Sequence, residues 1–74
     1  MEKNDLMILC RAARKARGMT LKGLSARTAY HYTTLSKFEH GTFSWDVAES
    51  YRRDVLNDVE RATYDAIKER IMEK

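Results

Sequence analysis

The sequence predicts a small, single, all-α domain, and three observations carry that reading. Apolar residues recur at helical spacing from one end to the other. The breaks between these runs fall at residues that start or stop helices, in a chain of 74 residues with no proline and three glycines. No segment alternates polar and apolar residues long enough to build a sheet. The stretch Tyr30-His31-Tyr32-Thr33-Thr34 has strand-like propensities but has nothing to pair with.

Taken in order, Leu6, Leu9, Cys10 and Ala13 follow i, i+3, i+4, i+7, with Asn4 as the expected N-cap and Gly18 as the stop. Thr20 caps a short second helix carrying Leu21, Leu24 and Ala26 through Thr28. A third begins near His31 or Tyr32, buries Leu35 and Phe38, and ends at His40-Gly41. Ser44 is the expected N-cap of a fourth helix with Trp45, Ala48, Tyr51, Val55 and Leu56. Asn57-Asp58-Val59-Glu60 fits a capping box that opens a fifth helix to about Met72, the alternative being one long helix over 45–72. The division expected is 1–56 as the main domain and 57–74 as a C-terminal helix packed on it. Gly23, in the middle of helix two, costs up to about 1 kcal/mol against alanine.

Composition narrows the function classes. A chain this short buries only about 60% of its unfolded surface, leaving little room for an enclosed active site. The single cysteine, Cys10, excludes an intrachain disulfide and reads as a buried small hydrophobe. The longest apolar run, Leu6 to Cys10, is far short of a membrane span, and the N-terminus lacks the pattern of a signal peptide. The expectation is a cytoplasmic, soluble domain. Charge is asymmetric: residues 1–44 hold eight Lys/Arg against three acids, a balance of +5, and residues 45–74 hold six against eight, a balance of −2. A polyanion partner is expected on the front half only.

The second and third helices, each about eight residues with a turn of roughly four between them, have the dimensions of a helix-turn-helix. Here the chain resembles a known family. The blocks Arg14-Lys15-x-x-Gly18-x-Thr20-x-x-x-Leu24 and Leu35-Ser36-x-Phe38-Glu39-x-Gly41 have the spacing of the Cro/C1-type, lambda-repressor-like helix-turn-helix domain, over residues 6–56. The resemblance implies a five-helix domain with an extended C-terminal helix, acting as a sequence-specific transcriptional regulator of phage-repressor type from a bacterium or mobile element. It further implies double-stranded DNA as partner, bound by a homodimer that reads the major groove with the helix at 31–40.

Carried over residue by residue, the resemblance puts Tyr32, Thr33, Ser36 and Lys37 at base edges. It puts Lys22, His31, Thr34, His40 and Thr42 near phosphates, and pairs Arg14 with Glu39 as an internal ion pair. Lys37 can donate to guanine O6 and N7, and Thr33 can bond a base edge or touch a thymine methyl. This chain departs from the family at Ala29, where glycine is usual, so that either a left-handed residue costs about 1–2 kcal/mol or the turn differs and re-aims Tyr32 and Thr33, and at Tyr30, which replaces a small aliphatic.

Rival chemistries fare poorly on the residues. His31, His40 and Cys10 lack metal-ligand spacing, so no metal and no cofactor is expected. Gly18-x4-Gly23-Leu24-Ser25 misses a phosphate-binding loop because Leu24 stands where its lysine must be. No nucleophile–base set remains, and no enzyme is expected. The rival function is a protein-interaction adaptor or antagonist that uses Tyr30, Tyr32 and the aromatic rear for a protein partner. The apolar positions Val59, Ala62, Ala66, Ile67 and Ile71 exceed what one small core needs, so a dimer through 45–72 is expected, anchored by Val59, Ile67 and Ile71 with Tyr51 or Trp45 contributing, the alternative being a helix folded wholly back on its own domain.

Overall fold

A computed structural model describes residues 2–73, and among them all regular structure is helical. The five helices are α1 (Glu2–Ala16), α2 (Leu21–Arg27), α3 (Tyr32–Glu39), α4 (Trp45–Asp54) and α5 (Asp58–Met72). α1 is the hub: it packs on α3 and α4 and most extensively on α5, while α2 packs on α3.

The ends of the helices follow local chemistry. Thr20 accepts the Gly23 N–H at 2.9 Å and so caps α2. A Cβ at Gly23 would meet that hydroxyl at 3.1 Å, which gives this mid-helix glycine a reason to be there. α1 and α3 stop on the same device. Gly18 (φ 66°) and Gly41 (φ 122°) each follow the C-cap, and the next N–H returns to a carbonyl five residues back: Met19 to Arg14 at 3.1 Å, Thr42 to Lys37 at 2.8 Å. The Asn57–Glu60 capping box is present in both directions, at 2.8 and 2.9 Å.

Two expectations need correction, and two open points are decided. α1 starts at Glu2, so Asn4 lies inside the helix, where Glu2 and Asp5 in the first turn suit the positive end of the helix dipole. Ser44 stands at the N-cap of α4 but its side chain makes no capping bond. The rear is two helices, because Val55 and Leu56 turn into the core and Arg61 donates to the carbonyls of Arg52 and Arg53 at 3.0 and 3.1 Å, closing the end of α4. No non-glycine residue among those described has positive φ, so Ala29 is unstrained. The 28–31 turn is held instead by the Ser25 hydroxyl donating to the Tyr30 carbonyl at 2.8 Å and by the Tyr30 N–H donating to the Thr28 hydroxyl.

The core draws on every helix: Leu6, Cys10 and Ala13 from α1, Leu24 from α2, Leu35 and Phe38 from α3, Ala48 and Tyr51 from α4, and Tyr64 from α5. Because Tyr64 is wholly buried there, residues 57–73 belong to the same core as the rest. Tyr51, expected on a dimer face, is equally inaccessible. Among the described residues no helix is long and apolar enough to cross a membrane.

Candidate nucleic-acid interface

α3 has two unlike sides. Leu35, Phe38 and Glu39 are buried beneath it. Tyr32, Thr33 and Lys37 are exposed on the other side, with Ser36 half-buried, and their spacing i, i+1, i+4, i+5 puts all four on one face. The four candidate base-contacting residues therefore share one surface.

That surface is fixed from below. Arg14 grips Glu39 with two nitrogens, Nε to Oε2 at 2.7 Å and Nη2 to Oε1 at 2.9 Å, and its Nη1 donates to the Met19 carbonyl at 2.7 Å. The Tyr51 hydroxyl donates to the same carboxylate, and Arg11 stands 3.9 Å away. The hydrogen bond to Glu39 raises the Arg14 pKa above its already high value. Burial, then the hydrogen bond to Glu39, pushes the Tyr51 phenol well up. Burial, reinforced by the Glu39 charge, pushes the Cys10 thiol up to about 12, so it carries no thiolate chemistry at neutral pH.

The leading end of α3 gathers several candidates. His31 caps the helix: its Nδ1 accepts the Thr33 N–H at 3.2 Å and lies 2.7 Å from the Thr33 hydroxyl. With Nδ1 accepting, the neutral ring carries its proton on Nε2. When Thr33 donates its hydroxyl to His31, it is left with lone pairs and a methyl to offer. The His31 and Tyr32 rings lie 4.4 Å apart, and Lys22 of α2 holds its ammonium 5.6 Å from the Tyr32 ring centre. Lys22, His31, Tyr32 and Thr33 thus form one cluster. His40 and Thr42 sit exposed beyond the other end of α3, with His40 Nδ1 donating to the Ser36 carbonyl at 2.7 Å. Thr34 is exposed.

The front half's cations are not all free. Besides Arg14, Arg17 pairs with Glu60 at 2.8 Å. Among the described residues, no group of three His, Cys, Asp or Glu side chains is placed to hold a metal ion.

The rear residues distribute differently from the expected dimer face. Val59 is 76% exposed, but Ile67 and Trp45 pack against the core and Ile71 is half-buried. Trp45 is held edge-on by Phe43 at 4.9 Å and covered by Lys68 at 5.3 Å. The stripe that faces inward is Tyr64, Ile67 and Ile71, whose i, i+3, i+7 spacing is present in the sequence. Grouping Val59, Ala62 and Ala66 with it merges two opposite faces. Two further contacts carry no sequence signal: the Tyr51 hydroxyl on Glu39, and the Tyr64–Glu49–Lys68 group, with hydrogen bonds of 2.7 and 2.9 Å to Glu49.

No family model, curated protein or solved structure matches the chain.

Proposed function

We propose that the chain is a sequence-specific binder of double-stranded DNA, a regulator of the Cro/C1 helix-turn-helix type that lays α3 in the major groove and acts as a symmetric pair. The observation that carries the reading is the two-sided α3. A face of hydroxyls, a phenol and an ammonium (Tyr32, Thr33, Ser36, Lys37) rides on an underside locked by the Arg14–Glu39 bond. Side chains that discriminate bases must be held still while remaining exposed. The +5 balance of residues 1–44 supplies the attraction to phosphate. The Cro/C1 motif blocks, rather than any overall match, suggest the family.

A binding selection on random duplexes with the purified protein tests this, and the selected site should lose affinity steeply as salt rises. Lys37→Ala and Thr33→Ala should each relax preference at one base position, at about 1–3 kcal/mol for a bidentate contact. Lys22→Ala should weaken selected and random duplexes alike. Equal losses on both duplexes for Lys37 and Thr33 would remove them from the base-reading face. The exposed His31–Tyr32 ring pair also suits a protein partner, and binding insensitive to salt would favour that second reading.

A further inference from the structure

We infer that the outward face shared by α1 and α5 binds a second copy of this chain, with α1 of one protomer antiparallel to α5 of its partner. The inference rests on the pairing proposed above only in its choice of partner and needs no DNA. α1 and α5 lie side by side and antiparallel, as the Arg17–Glu60 contact between the end of one and the start of the other requires. Each has 15 residues, about 22 Å of helix.

Other contacts fix how each helix is rotated. Arg14 and Arg11 turn towards Glu39, so one flank of α1 borders α3. The Arg52–Asp65 and Lys68–Glu49 pairs set the far flank of α5 against α4. At 100° per residue, the exposed side chains then cross the face in a definite order. Arg11 and Lys15 come first, followed by Ile8 and Ala12. Beyond the seam stand Val59, Thr63 and Ala66, and last Ala62, Glu69 and Asp58, all exposed. Ile8 and Val59, 57% and 76% exposed, are large apolar groups left in water, and the alanines beside them permit close approach. The face is thus a positive flank, a middle that is apolar except for exposed Asp5 and Arg70 at one end, and a negative flank.

That order is self-complementary under one two-fold only. An axis parallel to the helices lays α1 on the partner's α5 and sets Arg11 and Lys15 against the partner's acidic flank. The same axis exchanges Asp5 and Arg70, which lie across the seam from one another at one end. An axis perpendicular to the helices sets α1 on α1 and stacks the positive flanks on their own copies. Like charges so placed oppose association, so charge selects the first arrangement. The pairing uses no residue of α2 or α3 and leaves the outer face of α3 uncovered.

Lys15 and Ala62 lie at the same level, two residues from Arg17 and Glu60 respectively, and both are exposed. The pairing therefore sets each against the other across the two-fold. Sedimentation equilibrium of the full chain without DNA tests this, with circular dichroism confirming that the variants stay folded. The wild type should associate reversibly below about 0.5 mM, as suits a small interface. Lys15→Glu and Ala62→Lys, each creating two repulsions per dimer, should weaken association roughly tenfold or more. An equimolar mixture of the two variants pairs Glu with Lys and should recover association to at least the wild-type level. A wild type that keeps its monomer mass at about 0.5 mM, or a mixture as dissociated as its components, overturns the inference. Neither result touches the reading of duplex DNA by α3, which stands or falls on the duplex selection.

Discussion

Two groups of the same chemistry tie this fold together, and they sit in unlike surroundings. Tyr51, Glu39 and Arg14 join α4, α3 and α1, while Tyr64, Glu49 and Lys68 join α5 to α4. In each, a fully buried phenol donates to a carboxylate that also takes a cation. The Glu39 side chain is 1% exposed and its Arg14 partner 11%. Glu49 and Lys68 are 44% and 36% exposed. Water can replace the partners of Glu49 but cannot reach those of Glu39. Burial, rather than the identity of the three groups, should therefore set how much each contributes, since removing one member of a buried pair strands the other charge.

The sharpest way to break the comparison is to neutralise each carboxylate. Glu39→Gln should lower the unfolding free energy by about 3 kcal/mol, because Arg14 keeps its charge and loses its counter-ion inside the protein. For a domain of this size, with roughly 4–11 kcal/mol in total, that is a large fraction. Glu49→Gln should cost under about 1 kcal/mol, as exposed pairs do. Urea denaturation of both variants measures the two losses. Equal losses would mean that burial does not separate the groups. On the proposed function, Glu39 lies under α3 with its charge already met by Arg14, so Glu39→Gln should lose more in stability than it gains in DNA affinity.

Removing the phenol hydroxyls sharpens the same contrast. Tyr51→Phe leaves the ring in the core and takes one donor from a carboxylate that water cannot reach, so about 1–2 kcal/mol should go. Tyr64→Phe leaves a carboxylate that water can serve, and about 0.5 kcal/mol should go. For a domain of this length 1 kcal/mol is about 4–8 °C, so thermal unfolding resolves the difference. A larger drop for Tyr64→Phe would reverse the ranking.

The two groups also differ in how far they can be read from sequence. Arg14 and Glu39 lie inside motif blocks whose spacing carries the resemblance, so the resemblance alone implies their pairing. The helix starts at Thr20, His31 and Asn57 and the stops at Gly18 and Gly41 are legible for a local reason, since capping depends on residues at most five apart. The sequence misplaces the start of α1 because a polar residue at position 4 serves equally well inside a first turn. It leaves the 28–31 turn open because the hydrogen bonds that hold it come from the Ser25 and Thr28 side chains rather than from a left-handed residue. The rear group is not legible at all. Period alone cannot say which of two apolar stripes on α5 meets the core, and the choice is made by the fit of Tyr64 between α4 and α1, a tertiary matter.

The smallest effect expected is a dependence of stability on acid, read at the open group. Burial pushes the Glu49 carboxyl up, but the hydrogen bonds from Tyr64 and Lys68, with the charges of Lys68 and Arg52, outweigh it and leave its pKa below the ordinary 4.5. A carboxylate held below its unfolded value stabilises the fold fully above pH 4.5, and that contribution is lost as the pH falls through the lowered value. Glu60 is shifted down by its bond to the Asn57 backbone and by Arg17, and Asp65 by Arg52, so the whole chain should lose stability over the same range. The contribution of Glu49 is isolated by subtracting Glu49→Gln from the wild type. Because the carboxylate is 44% exposed, that difference should stay within about 1 kcal/mol, or roughly 4–8 °C. Melting temperatures measured from pH 7 down to about 3 should show a constant gap between the two proteins that narrows below pH 4.5. A gap that keeps its size into acid would mean that the Tyr64 and Lys68 bonds do not depend on the charge of Glu49, and that the open group is held by packing alone.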